Sequence, residues 1–484
     1  MFDTISIPVW LAVLLGLFGF IGLLDRIIGP GFRWFFRRKA NRAIDELNNR
    51  LSLRIQPFKT TKRQSLIDQL LFDPEVLAAI EAHAKAESVP RDVSMSKATL
   101  YAREIVPAFN AYAYFKIGTR ISRWLSKLMY RVRLGYADDE ALGKIDPEAT
   151  VVFVMNHRSN MDYVLVTYLA SASATLSYAV GEWARIWLLQ SLIRAMGAYF
   201  IRRESGNVLY RRVLARYVAM ATRSGVTQAI FPEGGLTRDG LLREPKFGLL
   251  SYMIGDFDPQ KHRDVVFVPV GLNYDRVVED RVLTGELQKG SNDRSDFRLR
   301  PRSFFTFSRE LVVRFFKGEL YRYGYACASF GTPVSLKDWL NEAEIDPLSL
   351  DDTARFTLIE KFGRDFMGKV GDVVPVLPVA LVASTFLDDF EAKLTELELK
   401  TRVATLIDRL ETSGAHIHIP RMDRDYAIAS GLRMLTLRHL VVEHDGHFSA
   451  APSERALIAY YANSIRHLRE EHLTNEEVVA LQLA

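Results

Sequence analysis

Only one of the 484 residues is cysteine, Cys327. That excludes a disulfide within the chain and any metal site built on several thiolates, and it fits a reducing compartment. The chain has no HExxH, no P-loop and no GxGxxG, so the commonest signatures of zinc hydrolysis, nucleotide-phosphate binding and dinucleotide binding are missing. Low-complexity segments and internal repeats are absent as well. A large excess of either charge is also lacking: 63 Lys and Arg stand against 58 Asp and Glu. The net charge of +5 and pI near 9.0 suit a surface that meets anions, without choosing among phosphate, lipid and nucleic acid. What remains is a globular composition, 48% hydrophobic and 25% charged, on a chain long enough for two or three units.

Long uncharged runs are few. Thr4 to Leu24 is one; at ~1.5 Å per residue it spans roughly 30 Å, the thickness of a hydrocarbon core. Arg26, Arg33, Arg37, Arg38, Lys39 and Arg42 follow, with Trp34, Phe35 and Phe36 among them. The positive-inside rule then places the rest of the chain in the cytoplasm. A cleaved signal peptide is disfavoured by the lack of a basic n-region and of a small-residue cleavage site. An amphipathic helix in the interface is the other alternative. Two further runs, Tyr163–Gly181 and Val373–Leu387, read as core: the first as a helix leading into a strand, the second as a helix.

Apolar residues recur at helical intervals from Leu66 to about Arg131, including Ile117, Ile121, Trp124, Leu125 and Leu128 in its last part. Short β-rich runs then appear at Thr150–Met155, Ala198–Ile201, Gln228–Phe231, Val265–Val270 and Tyr325–Phe330. Helical stretches at Tyr163–Ala172, Trp183–Met196 and Tyr210–Ser224 separate the first of these. The alternation predicts an α/β fold with a mostly parallel sheet flanked by helices. From about Leu348 the pattern is helical again, except for Leu440–Phe448, whose central Asp445-Gly446 signals a hairpin. The expected organisation is a membrane anchor at 1–25, a helical region at 26–130, the α/β domain at 131–347 and a helical C-terminal domain with a small hairpin at 348–484.

The strand expected at Thr150–Met155 delivers Asn156-His157-Arg158-Ser159-Asn160-Met161-Asp162. Neutral imidazole is the side chain best suited to take a proton near pH 7, and a carboxylate on its second nitrogen fixes the tautomer. A tight turn brings His157 and Asp162 together as a relay pair without a serine. A second polar island, Phe231-Pro232-Glu233-Gly234-Gly235-Leu236-Thr237-Arg238, follows another strand. Its glycines permit close backbone approach to a ligand, and its arginine suits phosphate. Gly197–Arg203 ends in Arg202-Arg203, Lys246 lies further on, and Val268–Val277 ends a fourth strand in Asn-Tyr-Asp-Arg-Val. Taken singly, these are a solvated turn, a loop and solvated charges. Placed in order at strand ends, they build a site at the carboxyl edge of an open sheet.

That order resembles the membrane glycerol-3-phosphate acyltransferases of bacteria and their dihydroxyacetone-phosphate and mitochondrial relatives. Their histidine, four residues and aspartate are matched by His157 and Asp162. Their Gly-x-x-Phe-Ile-Arg-Arg is matched by Gly197–Arg203, their Phe-x-Glu-Gly-Gly with its arginine by Phe231–Arg238, and their Val-Pro-Val strand by Pro269–Val277. The likeness runs from about residue 60 to about 470. It includes Tyr101–Ile105, Phe330–Leu336 and Tyr460–Ile465. Leu236 and Thr237 stand where the family usually has arginine and serine, which removes one cation. Pro232 is more familiar in lysophosphatidate acyltransferases, whereas Arg202 argues for a small, doubly charged phosphomonoester.

The resemblance implies an enzyme that moves a fatty acyl group from acyl-CoA or acyl carrier protein to the sn-1 hydroxyl of glycerol 3-phosphate, giving lysophosphatidate. His157 would act as general base and Asp162 as its orienting partner. Arg202, Arg203, Arg238 and Lys246 would hold the phosphate, and Glu233 and Gly234 would position the glycerol. No cofactor and no metal are expected; His416, His418, His444 and His447 lack carboxylate or cysteine partners at ligand spacing. The expected setting is the inner membrane, against anionic lipid, with the catalytic domain on the cytoplasmic side and no nucleic-acid partner. Lysophosphatidate and dihydroxyacetone phosphate are the alternative acceptors. A winged nucleic-acid module using Arg421, Arg424, Arg433 and Arg438 is the reading from another class.

Overall fold

In the computed structural model of the chain, residues 56–170, 175–180, 193–202, 206–288, 323–347 and 349–470 are described, within one compact unit, Ile55–Ala484. The anchor expected at 1–25, its basic flank, Arg203 and most of the helix expected at Trp183–Met196 lie outside the described residues. Among the described residues, no helix is long and apolar enough to cross a membrane.

Helices α1 (Arg63–Leu71), α2 (Pro74–Ala86), α3 (Arg91–Ile105) and α4 (Thr119–Met129) precede β1 (Arg131–Ala137) and β2 (Thr150–Met155). Then come α5 (Asp162–Ala170), β3 (Ser177–Val180), β4 (Tyr199–Phe200), α6 (Val208–Arg223), β5 (Gln228–Ile230), α7 (Gly248–Ile254), β6 (Val265–Tyr274) and α8 (Asp280–Gln288). After β7 (Tyr325–Phe330) and β8 (Val334–Ser335) the chain continues through α9 (Leu336–Glu342), α10 (Asp352–Asp372) and α11 (Pro378–Asp388). It ends with β9 (Leu394–Thr395), α12 (Glu396–Thr412), α13 (Arg424–Thr436), the hairpin β10 (Val441–His444) and β11 (His447–Ala450), and α14 (Arg455–Ala462).

The large sheet has the order β1-β7-β6-β2-β5-β3-β4, with β8 against β6. Every pair is parallel except β6–β7 and β6–β8. β2 and β6 occupy its centre and are buried along their whole length, which is why Val151–Met155 reads as a continuous apolar run rather than an alternation. One face presents Val152, Val154, Ile230, Val265 and Phe267 to a core completed by α1, α2, α3, α6, α7 and α10. The edge strand β1 escaped the sequence reading, which ran helix to Arg131. Its residues are exposed or half-buried on both faces, so no apolar alternation marks it.

The C-terminal helices grip the far end of β6. A Cβ on Gly271 would stand 2.3 Å from the Val373 carbonyl oxygen, so only glycine permits this approach. Asn273 Nδ2 donates to the Pro375 carbonyl at 2.9 Å, and the Val379 N–H donates to Asp275 Oδ1 at 3.1 Å. α11 is apolar on all sides because it is buried among α12, α13 and α14. The hairpin closes through Asp445 and Gly446, both at positive φ, as a two-residue primed turn requires.

Arg438, counted in the alternative reading as part of a basic binding face, is turned inward with its side chain 8% exposed. It pairs with Asp280 at 2.5 Å and with the Tyr461 hydroxyl at 2.9 Å. Arg424 is likewise engaged by Asp408 and Glu411, and Arg421 lies over the Tyr426 ring. Replacing Arg438 with alanine leaves Asp280 buried without its counter-ion, with the Tyr461 hydroxyl and the Arg281 N–H still bonded to it, so it is expected to cost about 3 kcal/mol in urea unfolding. A loss below about 1 kcal/mol, the level of an exposed pair, would refute that assignment.

Candidate active site

β2 stops at Met155, but the ladder does not. Asn156 takes over the role of the next peptide, donating from Nδ2 to the Leu272 carbonyl at 2.9 Å and accepting the Leu272 N–H on Oδ1 at 2.7 Å. The chain then turns and α5 begins at Asp162, whose carboxylate folds back over the turn. Oδ2 accepts from His157 Nδ1 at 2.8 Å, from the Arg158 N–H at 2.8 Å and from the Ser159 N–H at 3.0 Å. Oδ1 accepts the Tyr274 hydroxyl at 2.6 Å. Both members of the pair are buried, His157 at 2% and Asp162 at 0% exposure.

Because Nδ1–H is committed to Asp162, the lone pair of the neutral ring lies on Nε2. Nε2 is buried and has no hydrogen-bond partner among the described residues. Phe231 stacks on the ring at 4.2 Å between centroids and Tyr163 meets it edge-on at 5.6 Å. The imidazole is therefore fixed in plane and tautomer with one basic nitrogen unused, the arrangement of a general base.

The loop after β5 docks on the same histidine. Glu233 Oε1 accepts the His157 N–H at 3.2 Å, and the Thr237 N–H donates to the His157 carbonyl at 3.2 Å. Gly234 sits at φ +69°, and a Cβ there would stand 2.7 Å from Lys246 Cδ. The second oxygen of Glu233 is buried without a partner among the described residues. Burial raises this carboxyl to about 8, partly opposed by the nearby Arg158 guanidinium, so it is largely protonated at pH 7.

The turn is held from two other sides. Arg158, 2% exposed, donates to the Gly240 carbonyl and, at 3.0 Å, to the Ser464 carbonyl of the C-terminal region. Ser159 Oγ donates to Glu279 at 2.8 Å, and Asn160 reaches the same carboxylate with its side chain at 3.1 Å and its backbone at 3.3 Å. Burial raises the Glu279 carboxyl as well, against those hydrogen bonds.

Of the residues the sequence singled out, His157, Asp162, Glu233 and Gly234 meet, with Lys246 lying over Gly234. Arg238 is half-buried in the same loop. Arg202 stands at the end of β4, at the edge of the sheet three strands from β2. Its Nε and Nη2 form a two-pronged pair with Glu104 at 3.0 and 2.6 Å, between the Tyr101 and Tyr210 rings. Arg203 lies outside the described residues. Sequence reasoning assigned no role to Tyr274, Glu279 or Arg158. All three stand in or directly after quoted motifs, but their partners are 112, 120 and 306 residues away.

Two matches to family models bracket this geometry. Residues 138–273, which carry His157, Asp162 and Glu233, match the family model described as Acyltransferase. Residues 310–469, which supply Ser464, match the Glycerol-3-phosphate acyltransferase C-terminal region. Over 84% of its length the chain is similar to proteins named glycerol-3-phosphate acyltransferase, which bears out the resemblance read from the four blocks. Identity is 27% with the protein of Pseudomonas entomophila, 26% with that of Xylella fastidiosa strain M23 and 28% with that of Glaesserella parasuis. These alignments cover 49%, 47% and 50% of the relatives, so the chain spans about half their length. The crystal structure of the 1-acyl-sn-glycerophosphate acyltransferase of Thermotoga maritima aligns at a TM-score of 0.28 and 18% identity, over 53% of this chain and 77% of that one.

Two outcomes test the site. Tyr274→Phe removes a hydrogen bond to a charged carboxylate, so kcat is expected to fall roughly 10-fold with KM little changed. A kcat left unchanged by the substitution would refute the coupling. Glu233→Gln tests the buried carboxyl. The raised folded value means that its stability contribution is complete below about 4.5 and is lost as pH rises through about 8. The glutamine variant, which cannot ionise, should lose less Tm than the parent across that window. Parallel Tm curves would refute it.

Proposed function

We propose that this chain transfers a fatty acyl group from acyl-CoA or acyl carrier protein to the sn-1 hydroxyl of glycerol 3-phosphate, yielding lysophosphatidate at the cytoplasmic side of the inner membrane. The observation that carries the reading is the buried His157, held by Asp162 on Nδ1 and by Glu233 on its backbone N–H, with Nε2 unpartnered among the described residues. The names of the relatives support the acceptor. His157 Nε2 takes the hydroxyl proton as that oxygen attacks the thioester carbonyl. The tetrahedral intermediate collapses with cleavage of the C–S bond, and the imidazolium returns its proton to the departing thiolate. Asp162 stabilises the imidazolium between the two transfers. General-base assistance of this kind supplies about 10²–10⁴ in rate.

The nucleophile is the substrate's own hydroxyl, and no acyl-enzyme is needed. Cys327 does not suit that role: it is buried in β7, and burial pushes its thiol up to about 12. On this reading Glu233, protonated at neutral pH, offers its unpartnered oxygen to a glycerol hydroxyl. Arg238, further along the same loop, and Lys246, over Gly234, would supply cations. A phosphate contact from Arg202 would use the Nη1 side that Glu104 leaves aside, with Arg203 as the neighbouring cation.

Membranes containing the full-length protein, labelled glycerol 3-phosphate and either donor provide the assay. His157→Ala is expected to lose at least about 100-fold in rate while unfolding like the parent. Near-parent turnover in that variant would overturn the mechanism. Faster acylation of lysophosphatidate or dihydroxyacetone phosphate than of glycerol 3-phosphate would overturn the acceptor.

A further inference from the structure

Helix α4 is built inside out. Its inward face is Ser122, Ser126 and Met129, preceded one turn earlier by Gly118, where a Cβ would stand 2.8 Å from the Met196 side chain. These small residues let the helix lie close against α5. Its exposed apolar side chains lie on another face: Ile121 is 45% exposed and Trp124 60%, following Ile117 at 42%, with Leu128 half-buried. Arg120, Arg123 and Lys127 form a third row at the same i, i+3, i+7 spacing as Ile121, Trp124 and Leu128. All three cations are exposed, and Arg123 and Lys127 lean over the Tyr168 ring of α5 at 5.8 and 5.9 Å. From Ile105 to Ala137 the chain has six cations and no acidic residue.

The geometry points to α4 as a docking helix for an anionic lipid surface. An exposed apolar row that includes tryptophan inserts at the level of the headgroups, and the adjoining cationic row meets lipid phosphates. Burial of the opposite face fixes the helix to the body of the protein, so the contact orients the whole fold. The lack of any acidic residue along the segment decides between occupants: a protein surface of mixed charge gains nothing from it, whereas an anionic bilayer does. α4 packs on α5, whose first residue is Asp162, so docking there sets the His157 turn one helix away from the interface. The inference concerns the surface alone and does not depend on which acceptor the enzyme uses.

The test uses the full-length chain with Ile121→Cys carrying an environment-sensitive fluorophore; the native Cys327 is buried and does not compete. Leu397→Cys on α12, 75% exposed, serves as the reference position. With vesicles of phosphatidylcholine and phosphatidylglycerol, emission at 121 should shift to the blue and be quenched by brominated acyl chains, while emission at 397 does neither. Neutralising Arg120, Arg123 and Lys127 to glutamine should weaken that quenching by roughly five-fold per cation removed. A blue shift at 121 without vesicles, or one that bromolipid does not quench, would mean that the protein's own N-terminal segment or a second copy covers the face, and would overturn the inference. Failure to bind vesicles, or a bound protein whose label at 121 stays in water, would overturn it equally.

Discussion

Everything at the site depends on the Asp162 carboxylate. It takes four hydrogen bonds, from an imidazole, two backbone N–H groups and a phenol, with no exposure to water. Bonds to an ionised acceptor are about twice as strong as neutral ones, and a buried carboxylate without them would be prohibitively expensive. The charge therefore enforces the turn: His157, Arg158 and Ser159 cannot leave their positions without stranding it. Placement at the first residue of α5 adds the favourable field of the helix N-terminus.

Glu233 represents the opposite solution a few ångströms away. It has one donor, the His157 N–H, and burial raises its carboxyl instead of its being matched by hydrogen bonds. Two acids on one histidine are thus held in opposite ways, one by four hydrogen bonds and the other by burial that raises its carboxyl. The rest of the architecture keeps water from levelling the difference. Phe231 and Tyr163 cover the imidazole, and the C-terminal region closes over the Gly240 loop so tightly that a Cβ on Gly240 would collide with the Tyr460 carbonyl.

Much of this was legible in the sequence where one element carried its own signal. β2 and β7 run over the residues their apolar patterns predict, and the Asp445-Gly446 hairpin forms where its turn residues stand. His157 and Asp162 were legible because the motif is local. What escaped was long-range or inverted. The Arg202–Glu104 pair joins residues 98 apart, and neither residue's neighbours announce it. β1 lies at an edge and buries little, so it has no pattern to read. In α4 the periodicity correctly gives a helix, but periodicity does not tell which stripe faces inward. The aromatic and aliphatic stripe, normally the core, is outside, and serines fill the interior.

The bond from Arg158 to the Ser464 carbonyl has a consequence for how the protein is made. A ribosome makes the His157 turn 306 residues before the carbonyl that completes it. Until then the Arg158 guanidinium has the Gly240 carbonyl and lacks the Ser464 one. A chain cut short before Ser464 keeps every residue of the His157–Asp162 turn and lacks the contact that closes it. The closure of the His157 turn is thereby tied to a residue made long after it.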